Sequence, residues 1–140
     1  MSRPLYTTDV LRLAASLDEM RDLDREDGRA ELRSPTCGSR ITIAVQLDDE
    51  RRVQMISQKV HACAFGQASA ALVQQHAVGR DHDEVAAALV EISRWLAEEQ
   101  DEPGDWPGLE VLAAARPRKA RHGAILLPFR ALLAAIEAAS

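Results

Sequence analysis

Over residues 40–47, Ile41, Ile43, Val45 and Leu47 alternate with Arg40, Thr42, Ala44 and Gln46. A period of two puts the sets on opposite faces of a strand, and this is the clearest strand signal in the chain. A polar turn, Asp48-Asp49-Glu50-Arg51, follows, and Val53 to His61 reads as the returning strand of an antiparallel hairpin. Upstream, Ala30 and Leu32 alternate with Arg29, Glu31 and Arg33, a short strand leading into Cys37. Elsewhere the period lengthens. After the N-cap candidates Thr7 and Thr8, Val10, Leu13, Leu17 and Met20 recur at helical spacing and predict an amphipathic helix that ends before the charged 22–27 segment. Ala64 to Ala77 predicts an alanine- and serine-rich helix closed by Gly79. Asp81 or Asp83 caps the next, with Val85, Leu89, Ile92 and Leu96 as its stripe. A linker over 98–105, a short helix from Leu109 to Ala115 and a basic stretch over 116–122 come next. The last helix carries Phe129, Leu132, Leu133 and Ile136 on one side. Strands first and helices after predict an α+β fold: a small antiparallel sheet of about three strands with helices packed on one face.

Composition narrows the class. The 140 residues suit one domain spanning 1–140, large enough to bury a core without staples. Apolar residues are 46% and charged residues 28%, the balance of a soluble globular domain. Aromatics are only 4%, so Leu, Ile, Val and Ala must build the core. A net charge of −5 and the absence of aromatics among the basic residues speak against a nucleic-acid partner. No run is long and apolar enough to span a bilayer. The opening Met1 to Thr8 lacks a signal peptide's apolar core, so a cytoplasmic location with free thiols is expected.

The chain has two cysteines, which do not make a disulfide framework at this length. Cys37 sits in Ser34-Pro35-Thr36-Cys37-Gly38-Ser39, a strand-to-strand loop. Cys63 sits in His61-Ala62-Cys63-Ala64-Phe65-Gly66, at a strand-to-helix junction. Thiolates are soft ligands for zinc and iron–sulfur centres and also carry sulfur covalently. At a helix start, unpaired amides and the helix dipole favour the thiolate form. The hairpin between the two positions is a means of bringing both sulfurs together. Local chemistry leaves two readings open, a functional pair or two small buried hydrophobes. His76 and His82 lie near helix ends and are expected to be exposed, without a role.

Ser34-Pro35-Thr36-Cys37-Gly38 and Cys63-Ala64-Phe65-Gly66-Gln67-Ala68-Ser69-Ala70, taken together, resemble the NifU/IscU/SufU family of iron–sulfur cluster assembly scaffolds. That family has a P-x-C-G-D loop and a G-C-x-x-x-x-A-S-A helix start. The opening Leu5-Tyr6 is also similar, and the tail from Ala124 to Leu132 resembles the segment that begins with the family's third cysteine. Arg121 matches an arginine three positions before it. The long stretch between Cys63 and Ala124 looks like the SufU branch, and the L-P-P-V-K motif of the IscU branch is absent. The resemblance implies an α+β fold and a site of three cysteines and one aspartate. It also implies a cysteine desulfurase partner and iron–sulfur acceptor proteins downstream. In the SufU branch the site holds zinc and accepts persulfide sulfur; in the IscU branch it builds a [2Fe–2S] cluster.

Two positions depart from the family. The aspartate is Ser39, a poor ligand at neutral pH, and the third cysteine is Ala124, or Gly123 if the tail slips by one. His61, two residues before Cys63, shares its face if the strand persists. His122 lies two residues before Ala124. Cys37, Cys63, His61 and His122 would form a Cys₂His₂ zinc set, and imidazole also suits iron. The expected function is a scaffold-like protein binding iron or a [2Fe–2S] cluster through Cys37 and Cys63. One alternative is a zinc-type sulfur acceptor for a cysteine desulfurase, with Cys37 or Cys63 taking the persulfide. The other is a metal-free module of the same fold. All describe a scaffold or carrier, monomer or homodimer, more than an enzyme, with sulfur transfer as its one possible activity. Arg121, in the basic 116–122 run, is the expected partner-docking residue.

Overall fold

The alternation over 40–47 becomes the central strand of a three-stranded antiparallel sheet. In this computed structural model, which describes residues 6–35 and 38–139, the strands are β1 (Gly28–Arg33), β2 (Arg40–Leu47) and β3 (Val53–His61), in spatial order β1-β2-β3. The turn between β2 and β3 is built by Asp48. Its carboxylate accepts from the amides of Glu50 and Arg52, both at 2.9 Å, and Arg51 takes a left-handed conformation at φ 61°.

Ile41, Ile43 and Val45 are fully buried on one sheet face, flanked by Ala30 and Leu32 of β1 and by Ile56 and Val60 of β3. The last helix, α4 (Lys119–Ala138), lies on that face and also touches α2 (Ala64–His76) and α3 (His82–Leu96). It is therefore buried on most of its circumference, with Ile125, Phe129, Leu132 and Ile136 in the core. Helix α4 approaches β1 very closely at Gly28, where any Cβ would run into the Ala135 carbonyl. Helix α1 (Thr8–Ala15) is capped by the Thr7 hydroxyl, which accepts from the Val10 amide at 3.2 Å, and packs on α2. Asp81 is the cap of α3, with a reciprocal bond from Glu84. None of the helices among the described residues is long and apolar enough to cross a membrane.

The fold departs from the sequence pattern in four places. The first helix ends at Ala15, short of Met20. The chain beyond it peels away to lie across β3, α2 and the far half of the sheet's outer face. Side chains there satisfy its amides: Asp18 N–H donates to Gln74 at 2.9 Å, Arg21 N–H to Ser57 at 2.7 Å and Arg25 N–H to Gln46 at 3.1 Å. The Asp27 carboxylate in turn accepts from the Leu47 amide at 2.7 Å. Next, Leu109–Ala115 is a 3₁₀ helix. The linker is also stitched into the core at its end: Trp106 is buried, donates to the Leu72 carbonyl at 3.1 Å, and meets Phe129 edge-on at 5.0 Å. Lastly, the basic stretch is partly helical, because α4 begins at Lys119.

Two predictions follow from this packing. Gly28→Ala should lower stability by about 1–3 kcal/mol in urea unfolding, because α4 cannot move off β1 without opening the core; an unchanged midpoint would contradict that contact. At the other end of α4, the two ring nitrogens of half-exposed His82 face Glu137 at 3.0 Å and Asp83 at 3.2 Å. These bonds, Glu137's first, hold the His82 pKa above its ordinary value of about 6.5. The ion pair therefore contributes fully below pH about 6.5 and fades as pH rises through the folded-state value, and its exposure keeps the contribution small. An NMR titration should place the His82 midpoint above His76's, since burial, then Arg80, push His76 down. Glu137→Gln should bring His82 back toward the ordinary value, and an unshifted His82 would contradict the pairing.

Candidate functional site at the end of the sheet

Arg33, Arg40 and His61 are partners across the three strands, so the β1–β2 loop and the entry to α2 leave the sheet at the same end. The loop is closed by the Ser34 amide donating to the Ser39 carbonyl at 2.8 Å, and Gly38 sits at φ 72°. Ser39 is buried. Cys37 lies outside the described residues, so the structure speaks only of the backbone on either side of it.

Cys63 is the N-cap residue of α2, with an extended backbone at φ −66° and ψ 174°. Its thiol is free, makes no capping hydrogen bond and is half-buried against the core. The junction is held by main chain and amide: Gln67 N–H donates to the Cys63 carbonyl at 2.9 Å, and the Gln67 side chain donates to the Ala62 carbonyl at 3.0 Å. The strand ends at His61, so the alternation that would have placed His61 and Cys63 on one face stops between them. His61 stays exposed on the outer face beside Arg40, Thr42 and Lys59, while Cys63 turns toward the helical side.

Helix α4 brings its first turns to the same place. Ala124 is buried, and a Cβ built on Gly66 would lie 3.3 Å from both its Cβ and its carbonyl oxygen, and 2.5 Å from the Cβ of Ala62. Position 124 thus stands against the first turn of α2 and offers a methyl group there. Ser69, fully buried one turn on, donates to the Ile125 carbonyl at 2.5 Å and locks the two helices together. His122 lies 2.9 Å by Nε2 from the carbonyls of both Ala115 and Arg116. Carbonyls only accept, so Nε2 carries the proton and is committed to closing the 3₁₀ segment. Among the described residues no three His, Cys, Asp or Glu groups gather in a way that would hold a metal ion. His61, Cys63 and His122 therefore do not form a ligand set by themselves.

The basic stretch separates into different duties. Arg116 donates to the carbonyls of Trp95 and Gln100, both at 2.8 Å, and lies over the Trp95 ring, so it is a packing residue. Arg121 stands 6.0 Å over the ring of Tyr6, which tilts against Phe65 of α2 at 5.2 Å. This clasp joins the start of the described chain, α2 and α4 beside Cys63. Sequence reasoning noted Leu5-Tyr6 but gave Tyr6 no contact; its being the chain's one tyrosine was the available signal.

His122→Ala should remove the donor to two partly buried carbonyls and cost about 1 kcal/mol in urea unfolding. Parental stability would contradict its closing role.

The NifU-like N-terminal domain family matches residues 5–118. A NifU-like protein (N-terminal) from Brucella abortus is 30% identical, with 95% of this chain and 92% of that one covered and a TM-score of 0.87. A putative iron–sulfur cluster assembly scaffold protein for the SUF system from Fervidobacterium islandicum AW-1 is 16% identical, over 94% and 96% of the two chains, at a TM-score of 0.77. A hypothetical protein is 23% identical, over 95% and 97%, at 0.72. The last two are likenesses of fold alone. No curated protein sequence matches significantly.

Proposed function

The chain belongs to the NifU-like N-terminal domain family, and from that membership we propose that it serves iron–sulfur cluster assembly, receiving sulfur and iron as cargo on Cys63 together with Cys37. The observation that carries the reading is the free, half-buried Cys63 thiol at the N-cap of α2, at the sheet end from which the loop containing Cys37 also departs. The partner is a cysteine desulfurase, the recipients are iron–sulfur proteins, and the setting is a reducing cytoplasm in which both thiols stay free.

The donors of one chain do not fit a resident zinc. Position 124 presents a methyl group, Nε2 of His122 is spent on carbonyls, and His61 stands on the outer face. Zinc's tetrahedral set is not completed by these groups. A cluster assembled here takes its remaining thiolates from elsewhere, such as the cysteine pair of a second copy. The incomplete set favours sulfur acceptance as the chemistry this chain performs unaided. The Cys63 thiolate attacks the outer sulfur of the desulfurase persulfide, a new S–S bond forms, and the old one breaks. The desulfurase thiolate leaves, and no net oxidation occurs. The α2 amides face the incoming negative charge.

Incubation with a cysteine desulfurase and cysteine, followed by alkylation and intact mass, should show a one-sulfur adduct that is absent in Cys63→Ser. No adduct and no stimulation of desulfurase turnover would reject the reading. Ala124→Cys combined with Ser39→Asp should raise zinc content from substoichiometric to one per chain. Equal zinc content in parent and variant would show that position 124 is not what breaks the metal site.

A further inference from the structure

We propose that the uncovered half of the sheet's outer face, beside the cysteine end, docks an acidic segment of a partner protein. The register lines up Arg33, Arg40 and His61 directly across the three strands, and the next row on that face is Glu31, Thr42 and Lys59. Arg33, Arg40, Lys59 and His61 are all exposed, and none has an ion-pair partner among the described residues. Like charges opposite each other in a sheet repel and destabilise the pairing. The Arg33–Arg40 pair is held in that arrangement, and Glu31, facing Thr42, neutralises neither member.

The rest of the same face is treated differently. Ala44, Gln46 and Ser57 are buried under the 17–27 segment, whose amides bond to Ser57 and Gln46. Further along β1, Arg29 is paired with Glu26. Covering and pairing stop where the rows of Glu31, Thr42 and Lys59 and of Arg33, Arg40 and His61 begin. There the surface forms a hollow of about 290 Å³ lined by Glu31, Arg40, Thr42, Lys59 and His61. The chain as a whole carries a net −5, so an acidic ligand is repelled by most of the surface and drawn to this patch. Bound there, the partner lies beside the loop of residues 34–39 and the entry to α2. The inference concerns docking alone and stands apart from the sulfur chemistry proposed above.

The probe is an Asp/Glu-rich peptide, with an Asn/Gln counterpart of equal length, titrated into the full-length protein at low salt and followed by backbone amide NMR. Saturable shifts should be confined to residues 31–33, 40–42 and 59–61, absent with the neutral peptide, and at least about tenfold weaker in affinity for Lys59→Glu. Arg40→Gln should weaken binding while leaving urea stability equal to or above that of the parent, since it relieves the repulsion with Arg33. A clear loss of stability in Arg40→Gln would make the row structural and overturn the proposal. So would shifts centred elsewhere, or equal shifts with inorganic phosphate. Dimerisation through the patch, with the acidic 98–105 segment of a second copy as occupant, would also overturn it.

Discussion

Helix α4 must come within backbone contact of two neighbours at once, and the rest of the structure is arranged around that demand. Against β1 it needs Gly28, because the Ala135 carbonyl occupies the space a side chain would take. Against α2 it needs Gly66, with Ala62 and Ala124 closing in from either side. The hydroxyl of Ser69 then reaches the Ile125 carbonyl and fixes the spacing. A chain with 4% aromatics cannot fill wide gaps between layers, so its layers lie close and alanine supplies much of the contact. The few large rings it does have go where several elements meet: Trp106 on Phe129, and Tyr6 on Phe65.

That close packing sets the chemistry. It seats the first turns of α4 on the first turn of α2, so position 124 stands against Gly66, three residues after Cys63. The same geometry would aim a thiol at position 124 toward that region; here it aims a methyl. The family's architecture is kept, and the buried methyl of Ala124 meets the first turn of α2. A thiol at the start of a helix retains its use as a nucleophile whether or not a metal stands beside it.

Strand signals were the most legible part of the sequence. The alternation over 40–47, and the 53–61 run read as its return, match the observed strands because Ile41, Ile43 and Val45 are buried and a slip of one residue would expose them. The cap of α3, narrowed by sequence to Asp81 or Asp83, and the sheet-then-helix order were legible for similarly local reasons. The end of α1 was not, since Leu17 and Met20 keep a helical period while Gln74, Ser57 and Gln46, all distant in sequence, draw the backbone away. Nor could sequence show that the strand stops between His61 and Cys63, or that His122 is held by two carbonyls of the preceding 3₁₀ segment. Near Cys63, Gly66 is where Ala124 closes on α2, a contact that only the fold reveals. Arg33, Arg40 and His61 are far apart in the chain, and only the strand register makes them a row.

Sulfur reception by the two cysteines, as proposed, requires both thiols to share one pocket at the end of the sheet. Titration with phenylarsine oxide, a reagent that bridges two neighbouring thiols through a single arsenic, tests it most directly. One equivalent per chain should block Cys37 and Cys63 together, with one arsenical adduct by intact mass and none retained in Cys63→Ser. Two thiols that remain fully reactive after that equivalent is added would contradict it.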